Sequence, residues 1–213
     1  MSSILSEKDL VKILERYKNR INEFGVSFDS MKSGSIEKQL IRHKIHANSL
    51  KTENPKILDI GCGLGQFYIY LQEQNINCIY TGYDIVNEYI NKCIKDYPNS
   101  TFYNRNIFEN GIDKEYDNII MSQVLNNKYS HSDNMQVMIE TMKMAYEHSK
   151  IAVSIDMMSN YVDYKSEELY YYSPEVIFME AKKITKRVIL RHDYRPFEFC
   201  IQLYHNNVEG YVE

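Results

Sequence analysis

Apolar residues in the first third of the chain recur at helical spacing. Leu10, Ile13, Leu14, Tyr17 and Ile21 fall three or four apart, so a helix over residues 7–24 carries them on one face. A turn-rich stretch, 25–34, leads to a second helix over 35–50, with Ser35 or a neighbour as its cap. From Pro55 the pattern changes. Short apolar runs at 56–60, 77–83, 101–103, 116–121 and 150–155 read as strands. Between them lie helices over 66–74, 87–97 and 133–147. Their inward sets are Phe67, Tyr68 and Leu71, then Tyr89, Ile90, Cys93 and Ile94, then Val137, Met138, Met142 and Ala145. Pro98 stops the middle one. Such alternation predicts an α/β fold with a parallel sheet and right-handed crossovers.

The last third departs from that rhythm. Residues 157–172 form an irregular insertion rich in tyrosine. Ser173, Pro174 and Glu175 then supply a cap, a proline at the first helical position and an acid in the first turn, opening a helix that runs to about Lys183. Strands at 187–191 and 197–204 follow. The residues between them, 193–196, are too few for a crossover helix, so the two must pair antiparallel.

The first strand runs into Asp59-Ile60-Gly61-Cys62-Gly63-Leu64-Gly65-Gln66. Glycine admits positive φ and lets a ligand approach the backbone. The loop stands at the carboxyl end of a strand, where open α/β sheets bind ligands. A dinucleotide loop wants Gly or Ala where Gln66 stands, and the Asp59 carboxylate would repel a pyrophosphate. Asp59 suits a ligand bearing an ammonium group. No Lys-Ser/Thr follows, which excludes a P-loop. Asp84, 19 residues beyond Gly65, is placed to accept hydrogen bonds from ribose hydroxyls. A plain tight turn remains the alternative for the glycines.

With these residues in place, the segment 59–65 and Asp84 resemble the glycine motif and ribose-binding acid of class I S-adenosylmethionine (SAM)-dependent methyltransferases. The likeness covers residues 55–155 well and the rest more loosely. It implies a Rossmann-like, seven-stranded, mostly parallel sheet with an antiparallel last strand and helices on both faces. It implies SAM as cofactor and two segments: N-terminal helices over 1–54 capping the cofactor site, and a core over 55–213 with its insertion at about 157–172. By the family's pattern, Asp59, Gly61, Cys62, Gly63 and Gly65 would meet the methionine end. Asp84 and Ile85 would meet the ribose, Asn106 and Ile107 the adenine, and Ser122 and Gln123, with Val124 beside them, the methionine portion again. Asn106 departs from the usual acid, though its amide oxygen still accepts a hydrogen bond. Ser122-Gln123-Val124-Leu125 lacks the proline motif of nucleobase amino methyltransferases. Arg42, on the second helix beside Gln39, is a partner for the SAM carboxylate or part of a solvated face.

Composition adds limits. The 213 residues fit one domain, and a formal net charge of −4 argues against a surface built wholly for nucleic acid or anionic lipid. No apolar run is long enough to span a bilayer and the N-terminus lacks a signal core, so a cytoplasmic location is the default expectation. Cys62, Cys78, Cys93 and Cys200 lack metal or redox spacing and read as reduced, mostly buried thiols; no metal is expected.

SAM chemistry needs a nucleophile aligned with the methyl-sulfur bond, and a hydroxyl nucleophile also gains from a base. His131, in Tyr129-Ser130-His131 beyond the fourth strand, is the candidate base, with a solvated loop histidine as the alternative. His192 and Tyr194 are weaker candidates. The insertion tyrosines 161, 164, 170, 171 and 172 either face the acceptor or pack a lid. Lys182, Lys183, Lys186, Arg187, Arg191 and Arg195 make a basic C-terminal region, read as a surface offsetting nearby acids, with contact to an anionic substrate as the alternative. The expected reaction is methyl transfer to a small-molecule acceptor, at a hydroxyl oxygen of the kind a sugar or glycan precursor offers. A nicotinamide oxidoreductase, a non-catalytic SAM-binding module, and a protein or RNA methyltransferase stay open as alternatives.

Overall fold

The computed structural model describes residues 4–32 and 34–206. The outer ends of the expected 1–54 and 55–213 segments lie outside the described residues. Strands β1 (Lys56–Ile60), β2 (Ile79–Asp84), β3 (Thr101–Asn104), β4 (Tyr116–Ser122), β5 (Ser149–Met158), β6 (Arg187–Arg195) and β7 (Glu198–Tyr204) form one sheet in the order β3-β2-β1-β4-β5-β7-β6. The first five are parallel, and β7 lies antiparallel between β5 and β6. The helices are α1 (Glu7–Phe24), α2 (Ile36–Ala47), α3 (Gln66–Glu73), α4 (Asn87–Asp96), α5 (Ile107–Asn110), α6 (Asn134–Glu147) and α7 (Pro174–Ile184).

Period-two alternation divides the strands between two layers. Leu58, Ile60, Ile119, Met121, Val153 and Ile155 pack with Ile13 of α1, Val137 and Met138 of α6 and Ile177 of α7. Ile57, Tyr80, Phe102 and Ile120 pack with Phe67 and Leu71 of α3 and Ile90 and Cys93 of α4. β1 and β4 carry buried apolar residues on both sides because helices cover both faces, with Asp59 and Asn118 as buried polar exceptions.

Helix α2 inverts the usual rule. It buries Arg42, His43 and His46 and exposes Ile36, Leu40 and Ile41. The sheet beneath it is polar: Gln202 Nε2 donates to Ile45 O at 3.0 Å, and Asn118 Nδ2 to Ser49 O at 3.0 Å.

Several boundaries differ from the sequence reading. β5 and β6 run on to Met158 and Arg195, so the closing hairpin has a shorter turn than expected. Pairing to β7 holds these polar ends in the ladder, a long-range effect that local composition does not carry. Ile94 faces water, and the short α5 and a 3₁₀ turn at Asp29–Met31 were not foreseen. Cys62, Cys93 and Cys200 are buried and Cys78 half-buried, all as free thiols.

Candidate functional site

The glycine loop bends straight off β1. Gly61, Gly63 and Gly65 have φ of 74°, 55° and 73°. Gly61 and Cys62 donate their N–H groups to Tyr83 O at 2.7 and 3.0 Å. Gly63 N donates to Asp84 Oδ2 at 2.8 Å, and Val86 N to Oδ1 at 2.8 Å. One carboxylate thus ties the loop to the end of β2. With a third backbone hydrogen bond from Ile85, the carboxylate keeps one lone pair for a ligand hydroxyl. A Cβ on Gly61 would come within 2.5 Å of Val124 Cγ2, a stiff β-branched side chain. Gly61→Ala is therefore expected to add about 1–2 kcal/mol of backbone strain to that clash and to weaken S-adenosylhomocysteine (SAH) binding at least tenfold, read by calorimetry. Unchanged affinity would show that the loop does not cradle the ligand.

Beside the loop, Asp59 accepts a hydrogen bond from Tyr80 OH at 2.6 Å. Burial pushes its carboxyl up to about 7, and burial likewise raises Asp84 to about 6. Two desolvated acids side by side favour a cationic guest.

At the end of β4 a second turn faces the same space. Gln123 adopts φ 61°. Asp156, 1 % exposed at the end of β5, holds it there through Gln123 N at 2.7 Å and Nε2 at 2.9 Å. The other Asp156 oxygen accepts from Ser122 Oγ at 3.1 Å and pairs with His46 Nε2 at 3.0 Å. These contacts hold the Asp156 carboxyl below the usual range despite its burial. Asn126 Nδ2 then donates to Gln123 Oε1 at 2.6 Å.

These turns open on a cavity of about 530 Å³, within the range of small-molecule sites. All the expected cofactor residues other than Gly65 line it: Asp59, Gly61, Cys62, Gly63, Asp84, Ile85, Asn106, Ile107, Ser122, Gln123 and Arg42. Gly65 lies just behind, at the start of α3. The Asn106 oxygen caps α5 by accepting from Phe108 N at 3.0 Å, leaving one lone pair. Arg42 is buried on the wall and ion-paired to Glu198 at 3.3 Å, so its charge is already engaged.

His131 is not on the cavity wall. Its side chain is exposed, and its loop is drawn to α1, where the His131 and Ser130 N–H groups donate to Asp9. His192 lies tilted against the Tyr161 ring and edge-on to Phe199, and neither it nor Tyr194 lines the cavity. Of the insertion tyrosines only Tyr164 reaches the wall. Tyr172 is buried and donates to Leu125 O, while Tyr161 binds Glu175.

Sequence reasoning missed Met31, His43 and Glu198, and gave Gln66 and Arg195 no place in the cofactor site; all five are on the wall. Met31 sits over the loop, with its sulfur 3.3 Å from Leu64 N. Burial pushes His43 down to about 3, so it is neutral. Gln66 Oε1 is buried without a hydrogen-bond partner among the described residues. The spacing of Gln39, Arg42, His43 and His46 on one helical face was the available signal for the α2 wall.

A glycine turn and paired acids at the carboxyl edge of this sheet define a nucleoside-binding α/β protein. Residues 51–186 match the methyltransferase-domain family, and the chain belongs to that family: it is a class I SAM-dependent methyltransferase. This decides between the two ligand classes that the loop alone left open. No curated protein matches the sequence. Solved structures share the fold at low identity. The DhpI-SAM-HEP complex aligns with a TM-score of 0.69 at 12% identity, over 93% of this chain and 98% of that one. The plantazolicin methyltransferase BpumL, in complex with a monoazolic desmethylPZN analog and SAH, aligns at 0.63 and 16% identity, over 91% and 90%. Magnesium protoporphyrin IX methyltransferase from Synechocystis PCC 6803, with bound SAM, aligns at 0.60 and 12%, over 95% and 98%. Among the described residues no helix is long and apolar enough to cross a membrane.

Proposed function

We propose that this chain moves the SAM methyl group to a small-molecule acceptor, at an oxygen nucleophile, with residues 1–54 capping the cofactor. The carrying observation is a single cavity that runs from the acids at β1 and β2 to a wall of α2 and the β6–β7 turn. The residues suit the cofactor. Asp84 and Asn106 each keep a lone pair, for a ribose hydroxyl and the adenine amino group. Asp59 and the orphaned Gln66 oxygen stand where an ammonium group would be received. The sulfonium supplies an electrophilic methyl. The protein's part is to orient and exclude water, and alignment alone is worth up to roughly 7–11 kcal/mol. Leu5, Leu10 and Tyr17 at the N-terminus and Met31 before α2 roof the space, which supports the capping role. A cavity of about 530 Å³ supports a small acceptor over a folded protein or RNA.

Calorimetry with SAM and SAH tests the cofactor half of the reading. The acceptor half is tested by incubating the protein and methyl-labelled SAM with a cell extract. Label is expected in the small-molecule fraction; label confined to protein or RNA would overturn it.

A further inference from the structure

We infer that His43 receives the carboxylate of the cofactor's amino-acid end, beside the first turn of α3. This rests on the methyltransferase reading, because it needs the acidic end of the cavity to be the cofactor's. The His43 side chain belongs to a residue only 3 % exposed, yet it lines the cavity. Its Nδ1 is buried without a hydrogen-bond partner, and neither ring nitrogen is hydrogen-bonded among the described residues. A buried polar group left unanswered costs free energy. A guest that supplies the bond removes that cost. The ring is held in place by α3, with the Phe67 and Tyr70 ring centroids 5.4 and 5.6 Å from its own.

The surroundings select an anion. Phe67 stands in the first turn of α3, where no acidic residue lies, and Gly65 at the N-cap offers no side chain to the N–H groups of that turn. A helix N-terminus carries unpaired donors and partial positive charge, and it attracts carboxylates. Gln66, next to Phe67, lines the same cavity and has its Oε1 buried without a partner among the described residues. The two orphans are of complementary kinds. The Gln66 oxygen accepts only, which suits an ammonium group, and an imidazole N–H donates, which suits a carboxylate. In the cofactor a single carbon joins those two groups.

The cations of α2 are placed less well for this task. Arg42 is ion-paired to Glu198 at 3.3 Å, and Lys38, earlier on the helix, is exposed. Burial, with His46 and Arg42 adding to it against Asp156, keeps the His43 ring uncharged, with one N–H to give. An uncharged donor meets the carboxylate without a second ion to desolvate.

The test is calorimetry of the full chain with SAH and with S-adenosyl-3-thiopropylamine, which is SAH without its carboxylate. The wild type is expected to bind SAH at least about tenfold more tightly than the analogue. His43→Phe keeps a ring against Phe67 and Tyr70 and removes both nitrogens. It should lose about tenfold in SAH affinity while the affinity for the analogue stays within about twofold. His43→Gln keeps an N–H and should lose less SAH affinity than His43→Phe. The proposal is overturned by equal affinity of the wild type for the two ligands, by unchanged SAH affinity in His43→Phe, or by equal losses for both ligands in that variant, the mark of a ring that only shapes the wall. Failure of both ligands to bind the wild type would instead remove the cofactor reading beneath it.

Discussion

Asp84→Ala is expected to abolish measurable SAM binding at micromolar concentrations. The carboxylate is placed to accept a charge-assisted hydrogen bond from the ribose, worth roughly 1.5–3 kcal/mol. It also accepts from Gly63 N and Val86 N, so its loss loosens the glycine loop itself. Asp84→Asn keeps the shape and one acceptor oxygen, and should bind more weakly than wild type but better than alanine. Calorimetry separates the three. Wild-type affinity in Asp84→Ala would remove the central contact of the site. The same acid makes binding depend on pH. Burial holds the Asp84 and Asp59 carboxyls up at about 6 and about 7, above the ordinary carboxylate range. The folded chain therefore holds protons that the unfolded chain releases. Stability contributed by these groups is present below about pH 4 and is lost as pH rises through 6 and 7. A bound cation offsets that loss. The rise in Tm given by saturating SAM should grow between about pH 5 and pH 8, and a flat profile would count against a cationic guest beside these acids.

Asp156→Ala should give the second large effect, on stability rather than on one ligand contact. It removes the common acceptor of Gln123 N, Gln123 Nε2, Ser122 Oγ and His46 Nε2 and leaves Arg42 facing one carboxylate fewer. Breaking a buried charge pair from one side costs about 3–5 kcal/mol. Gln123 would also lose what holds it at positive φ. Denaturant unfolding reads the first loss and SAH affinity the second. A change below about 1 kcal/mol would mean that water replaces the carboxylate without penalty.

The alternating core from β1 to β5 was legible because each helix and strand there carries its own period and punctuation. The glycine loop and Asp84 were legible because their roles depend on backbone geometry close in sequence. What escaped depends on partners far along the chain. Glu198 reaches the cavity only because β7 turns back beside β5, and it meets Arg42 across 156 positions. His131 looked well placed by its distance from β4, but Asp9 draws its loop outward. The tyrosines of the insertion offered five candidates, and packing around Leu125 and Glu175 withdrew all but Tyr164.

The position of β7 bears on how the chain comes together. β6 is made before β7 yet touches no other strand of the sheet, so it waits without hydrogen-bonding partners until the later segment arrives. The sheet closes by insertion into its interior, not by growth at a rim. A nascent chain that stops short of Phe199 leaves the edge of β5 open and β6 unattached, a state prone to pairing with other molecules. Productive folding of this half is therefore held back until synthesis has passed Tyr204.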